Sequence, residues 1–503
     1  MHSPLIRFAS LLLALLMLLS LAACGTGEQT PDGESDESGS VTDAQTEAET
    51  PDPNYTLDLE EDLNYDTDVV ILYVNKTGRT DELECEKLGG GVISDAVYER
   101  NVAVEERLGI EFGYTSKNDD TEVVPTIANL VQAGDKTVDL FTLGTYMCMT
   151  PTLAGHYLNL NAFDNIDLSK HYWNQDYNEM MTFTSENLQF VATSPIAISI
   201  FRRGYITIFN RDLFADHQIP DLYEAVFNGD WTLDYQYSLV KDIYVDSDGD
   251  GNESAGDFYG FVVGAVTDMD VYAVSSDIHL VTRDENGDAV YNGDMLDRLI
   301  TMGEKVSLLA NAQGTYLADS FNEGFEVPIE KFTERKAVMA TVMFDHVETY
   351  FEDLADITYG IAPIPKLTKD QDGYGTYIQD QVSCFGISAA IGDATRQEQL
   401  AATLEAMSYY SYNLVRPAYY DSVLSLRFMQ DPQSREVLNT MFDSISFDFV
   451  YATSTAGIRD TLRGIISQPN APVASSSKQW ERQVQSALRT QEKAFERLLE
   501  KGY

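Results

Sequence analysis

Between residues 65 and 390 short apolar runs alternate with amphipathic stretches. The run 68–74 (DVVILYV) is apolar at nearly every position, as in a strand buried on both faces of a parallel sheet. Ser94 is placed to cap a helix in which Val97, Asn101, Val104 and Leu108 recur at helical spacing, and Gly109 stops it. Residues 110–114 alternate as a strand, 123–133 read as helix and 138–143 (VDLFTL) as strand. A second region repeats the pattern, with strands at 206–209, 258–264, 338–344, 357–364 and 382–387 and helices at 232–243 and 295–309. Beyond residue 395 the chain is almost all helix, and the last one, 478–499, carries Trp480, Val484, Leu488, Phe495 and Leu498 along one face.

Strands alternating with helices imply βαβ units and mainly parallel sheets covered on both faces. Two such regions followed by a helical third predict an α/β protein of two lobes with a cleft between them. No fixed-period repeat is present, which excludes a solenoid.

Composition adds location. Arg7 precedes the apolar run 11–21, which is shorter than the roughly 20 residues of a bilayer span and has the length of a signal h-region. It ends in Leu21-Ala22-Ala23-Cys24-Gly25, the pattern of a bacterial lipobox, so residues 1–23 are expected to be cut away and Cys24 to become an acylated N-terminus. Residues 24–64 are rich in Gly, Thr, Ser, Glu, Asp and Pro and form an acidic disordered tether. The net charge of −48 excludes nucleic acid and anionic lipid surfaces as partners, because both would be repelled. Apart from Cys24, the cysteines are Cys85, Cys148 and Cys384; an odd number allows one disulfide at most, and buried free thiols are expected.

The stretch 246–257, DSDGDGNESAGD, matches a twelve-position calcium loop at Asp246, Asp248 and Asp250, with Gly251 at the turn. Asn252 would lend a backbone carbonyl, Ser254 a direct or water-mediated oxygen, and Asp257 replaces the usual bidentate glutamate. A strand follows where a paired EF-hand would have a helix. The expected role is therefore a structural calcium clip between the helix before the loop and the strand after it, with no sensing function.

Several stretches resemble the extracellular solute-binding lipoproteins of bacterial ABC importers, the carbohydrate-binding family 1 type. They are the lipobox, ERNVAVEERLGIEF (99–112), FNRDLFADHQIP (209–220) followed by DWTLD (230–234), and PAYYDSVLSLRFMQDPQSREVLNTMFD (417–443). The resemblance implies a class II periplasmic-binding-protein fold. Lobe 1 would be 65–205 plus about 345–400, lobe 2 would be 206–344 plus part of the C-terminal helices, and 401–503 would pack across both. Crossings are expected near 204–209 and 338–345. It also implies a non-catalytic, monomeric protein at the extracellular face of the cytoplasmic membrane, which closes over a sugar and docks on an ABC permease.

In α/β sheets ligands lie beyond the carboxyl ends of strands, and sugars take aromatic faces and carboxylate or amide acceptors. On that ground Thr77 and Arg79, Tyr146, Asp345, Asp380 and Trp173 are the candidate ligand residues. Trp231 is expected to pack at a helix start, Trp480 to belong to the face of the last helix, and Asp345 has the alternative role of capping a helix that begins near Val347. Fragments of a serine acyl-transfer set (Ser475 with Lys478, Ser411 with Asn413, Lys76-Thr77-Gly78) occur in reversed order and carry no enzyme reading. A ligand-presenting sensor, a surface adhesin and a glycan-processing enzyme are the rival functions.

Overall fold

The apolar run near residue 70 forms the strand Thr67–Val74, which pairs in parallel with Ile110–Lys117 on one side and Leu140–Gly144 on the other. Ser383–Ile387 completes this first sheet, antiparallel to Leu140–Gly144. The structure is a computed structural model that describes residues 55–76, 78–182, 187–351, 357–424, 431–470 and 472–502. Contacts divide the chain into residues 1–50 and 51–503, and every described residue belongs to the second unit. The signal segment, Cys24 and residues up to 54 lie outside the described residues, whereas 55–64, expected as tether, pack on the body: Leu59 is buried and its carbonyl accepts from Arg107 at 2.9 Å.

The second sheet has the strand order Tyr359–Ala362, Tyr205–Asn210, Ala337–Met343, Phe258–Gly264, Tyr244–Val245, with Thr315–Ala318 also pairing in parallel with Phe258–Gly264. Every residue of Tyr205–Asn210 and Ala337–Met343 is buried, as expected of central strands covered on both faces. The fold is α/β with two lobes and a helical C-terminal region. Among the described residues no helix is long and apolar enough to cross a membrane.

Local chemistry explains most boundaries. The helix Val92–Leu108 begins after Gly91, not after a serine cap. Ser94 lies inside the first turn and its hydroxyl donates to the Gly91 carbonyl at 3.3 Å, while the Asp95 carboxylate accepts from Gly89 and Gly90 N–H at 2.6 and 3.1 Å. Gly109 ends the helix in the left-handed conformation at φ 63°, which costs glycine nothing.

The chain passes between the two sheets twice, before Tyr205 and after Tyr377. Met343 lies opposite Tyr205 in the antiparallel register, so the ends of both central strands reach one place, where Phe344 N–H donates to the Gly204 carbonyl at 3.0 Å. The chain then stays with the second sheet, because Tyr359–Ala362 pairs with Tyr205–Asn210 there. It returns to the first sheet between Tyr377 and Ser383, where Gln379 N–H donates to the Arg203 carbonyl at 3.0 Å. The return therefore falls later than the expected 338–345, and residues 345–351 and 357–377 lie with the second lobe.

The last helix, Val473–Glu500, touches both lobes. Its buried stripe includes Val473, Trp480, Val484, Leu488, Phe495 and Leu498. Val473 packs so closely on Gly303 of the second lobe that a Cβ there would lie 2.4 Å from its side chain. Phe495 stacks on Phe190 of the first, with ring centroids 6.0 Å apart.

Candidate functional site at the seam between the sheets

The loops that follow the three parallel strands of the first sheet supply one wall. After Thr67–Val74 comes Lys76; after Ile110–Lys117 come Asp119 and Asp120; after Leu140–Gly144 comes Tyr146. Asp119 caps the helix Asp120–Ala133, accepting from Thr121 N–H at 3.0 Å, and pairs with Lys76 at 3.0 Å. That N–H, together with the Thr121 hydroxyl and Lys76, holds its carboxyl down to about 2.

Asp120 is the centre of the wall. Wholly buried, it accepts from both terminal nitrogens of Arg79 at 2.9 and 3.1 Å, from Gly144 N–H at 2.7 Å and from the Tyr146 hydroxyl at 3.2 Å. Gly144 has to be glycine, because a Cβ would stand 2.4 Å from an Arg79 nitrogen. Burial and the neighbouring Asp120 push the Tyr146 phenol up, so it stays a neutral donor.

The return passage is fastened to this wall. Arg79 Nε donates to the Gln381 carbonyl, Tyr146 N–H and Thr145 Oγ1 donate to the Asp380 carbonyl at 3.1 and 2.8 Å, and the Asp380 carboxylate pairs with Arg459. Glu82 ties two passages together, accepting from Ser199 N–H and Ser383 Oγ, both at 2.7 Å. Burial raises its carboxyl against those hydrogen bonds.

The second lobe contributes Asp345, in the first turn of Phe344–Tyr350 and paired with Arg203 at 3.3 Å. Met343 holds the cap position, so Asp345 does not cap that helix. The Arg203 guanidinium lies against Gly78, where a Cβ would come within 2.3 Å of it. Beside it Arg202 donates to the Thr80 carbonyl at 3.0 Å and pairs with Glu348 at 3.2 Å. Two consecutive arginines thus bridge a first-lobe loop to a second-lobe helix.

The structure therefore brings Arg79, Tyr146, Asp345 and Asp380 to one seam. Thr77 lies outside the described residues. Trp173 is elsewhere: it is 2% exposed, and its Nε1 donates to Glu405 at 2.8 Å, so it is a core residue and not a surface platform. Trp231 and Trp480 are buried as expected, Trp231 donating to the Pro363 carbonyl at 2.7 Å. Sequence reasoning missed Asp120, Arg203, Arg459 and the buried Asp270–Arg463 pair. Asp120 alone had a local signal, its place directly after a strand.

Farther along the seam a cavity of about 290 Å³ opens between the lobes. Asp176, Met180, Arg283, His279, Phe447 and Phe449 are among the residues that line it. Arg283, on the hairpin formed by Val281–Arg283 and Ala289–Tyr291, donates to the Met180 carbonyl of the first lobe. Burial lifts the Asp176 carboxyl, although it accepts from Phe447 N–H.

The acidic loop 246–257 lies away from the seam and closes a β-hairpin, since Tyr244 and Val245 pair with Tyr259 and Phe258. The expected helix-loop-strand therefore has a two-residue strand before the loop. Carboxylate oxygens of Asp246, Asp248 and Asp250 lie within 4.8 Å of one another, as three ligands of one cation require. Asp257 instead accepts from Ser247 and Ser254 N–H, both at 2.9 Å, and from the Tyr244 hydroxyl at 3.2 Å. Those N–H groups hold its carboxyl below the ordinary range. Asn252 N–H donates to Asp250 at 2.7 Å, and the Ser254 carbonyl accepts from Tyr259 at 2.9 Å.

No family model matches the chain, and no curated protein matches its sequence. Solved structures do. An ABC substrate-binding protein from Listeria monocytogenes in complex with cycloalternan is 13% identical, with a TM-score of 0.50, covering 86% of this chain and 99% of that one. A sugar transporter from Rhizobium etli in an open conformation is 15% identical with a TM-score of 0.52, covering 85% and 98%. UspC of M. tuberculosis is 13% identical with a TM-score of 0.50, covering 84% and 100%. At these identities the likeness is one of fold: the two-lobed architecture of solute-binding proteins.

Proposed function

We propose that this chain is the solute-binding component of an ABC transporter. It captures a sugar or oligosaccharide between its lobes, makes and breaks no bond in it, and delivers it to a membrane permease. Acylated Cys24 holds it, as a monomer, at the outer face of the cytoplasmic membrane. The observation that carries this reading is the convergence of Arg79, Tyr146, Asp345 and Asp380, from both lobes, at the seam where the two passages meet. Ligand contacts made by both walls stabilise the closed arrangement over the open one, which is what a binding protein needs in order to signal occupancy. Solved structures of the same fold include sugar-binding proteins, which supports the ligand class.

The loop 246–257 serves as a calcium clip on the second lobe, with Asp246, Asp248 and Asp250 as side-chain ligands and Asn252 and Ser254 supplying oxygens. Asp257 stands outside that trio, accepts from Ser247 and Ser254 N–H and orients the loop end.

Isothermal titration of the purified chain against an oligosaccharide panel tests the function, with Tyr146→Ala and Asp345→Ala as site variants. We expect one or more sugars to bind, affinity to fall at least about tenfold, or 1.4 kcal/mol, in each variant, and the radius of gyration to shrink on binding. A panel without any binder, or a sugar returned chemically altered, sinks the proposal.

A further inference from the structure

The helix Ile458–Ile466 carries Arg459 and Arg463 one turn apart, and so on one side. Its far end belongs to the second lobe. Arg463 Nε donates to Asp270 at 2.6 Å, the Ser307 hydroxyl to the Gln468 carbonyl at 2.6 Å and Asn311 Nδ2 to the Ser467 carbonyl at 3.3 Å. Its first turn reaches the other way. The Arg459 guanidinium pairs with the Asp380 carboxylate, and the Asp380 carbonyl is held by Tyr146 N–H and Thr145 Oγ1 of the first lobe. The two side chains are 12% and 8% exposed, so salt screens the pair little.

Two observations set this pair apart from an ordinary bridge. Asp380 is one of the four residues that converge on the seam, and Arg459 already takes its carboxylate, the acceptor that a sugar hydroxyl would use. The chain also enters the helix through Ser454, Ala456 and Gly457 at φ 53°, 59° and 61°. That left-handed region suits glycine and strains serine and alanine, and such strain persists only where surrounding contacts hold the backbone in place.

We propose that Arg459 is an autoinhibitory latch: in the empty protein it occupies the Asp380 carboxylate in place of a guest, ties the return passage to the second lobe, and has to let go before a guest enters. The latch rests on the reading of the seam as the ligand site. The strained turn 454–457 favours release, which brings the latched and released arrangements close in free energy. A latch that keeps about two-thirds of the empty molecules shut weakens apparent affinity about threefold, because only the open third accepts a guest.

Two measurements on the full chain test this, and the first needs no ligand. In small-angle scattering of the empty protein, Arg459→Gln and Asp380→Asn each break the pair from one side and should both show a larger radius of gyration than wild type, with unchanged circular dichroism. Ala456→Gly relieves the strain at the cost of one methyl group and should show a smaller radius. In titration with a sugar that binds the wild type, Arg459→Gln should bind at least about threefold tighter and Ala456→Gly more weakly. A wild-type radius in Arg459→Gln, or an affinity unchanged or lowered there, overturns the latch. Should Arg459→Gln fail to fold, a wild-type radius in both Asp380→Asn and Ala456→Gly overturns it instead. A sugar panel without any binder sinks the ligand reading of the seam, while the scattering comparison still decides whether Arg459 holds the lobes together.

Discussion

Replacing Asp120 by alanine tests the wall of the seam most directly. Asp120 and Arg79 are 0% and 1% exposed, and no water reaches the pair. The substitution leaves a buried guanidinium without its countercharge, a change that costs about 3–5 kcal/mol. It also strips the Gly144 N–H of its acceptor, for about 1–3 kcal/mol. The two terms overlap, because one cavity water could serve both donors, so we expect a loss of about 4 kcal/mol. Arg79 keeps the bond to Gln381, which prevents a larger loss. Urea unfolding followed by tryptophan fluorescence reports it, since Trp173, Trp231 and Trp480 are all buried. In the double variant Arg79→Met with Asp120→Leu most of the loss should be recovered, since apolar residues then fill the site and no charge is orphaned. If Asp120→Ala costs less than about 1 kcal/mol, the value of an exposed pair, the description of a dry, charge-paired wall is wrong.

Three further outcomes are expected. Trp173→Ala should cost about 3–5 kcal/mol of stability and leave sugar affinity unchanged at temperatures where it stays folded; calorimetry beside titration separates the two. Glu405 is raised to about 7, chiefly by burial, with Tyr172 and Trp173 donating to it. The unfolded chain has then lost its proton where the folded one still holds it, so stability should decline as pH rises from about 4.5 through 7, and more steeply in wild type than in Glu405→Gln; parallel melting curves would refute this. Titration of EDTA-treated protein with calcium should release heat, and Asp248→Ala with Asp250→Ala should abolish it; a silent wild type removes the metal from the loop.

The central strands are legible in the sequence because each is a short apolar run with turn residues at its ends: 258–264 has the same bounds in sequence and structure, and 68–74 lacks one residue of its strand, whereas short edge strands such as Thr315–Ala318 are not legible. Arg79, Tyr146 and Asp345, picked for their places beyond strand ends, come to the seam for the same reason, since carboxyl ends are fixed once strands are. Trp173 is not legible because its partner, Glu405, is more than two hundred residues away, and a polar stretch such as HYWNQDY gives no sign that one carboxylate will gather it into the core. Ser94 has the right identity for a cap, but the chain starts its helix three residues earlier, with Asp95 taking the free N–H groups of the preceding loop. The return passage falls later than expected because an apolar run such as Tyr359–Ala362 does not tell which sheet it will join.

The order of the strands has a consequence for how the polypeptide is made. The second sheet draws all its strands from one continuous stretch, Tyr205 to Ala362, whereas the first waits for Ser383–Ile387, and Arg100 in its first long helix waits for Ser411. A ribosome works from the N-terminus, so the lobe begun first is finished last. Until about four-fifths of the chain has emerged, the leading part lacks an edge of its sheet and cannot lock into its final form. On the proposed route of export, a secretion machinery that threads unfolded polypeptide would find that delay useful, because the segment engaged first is the one that stays open longest.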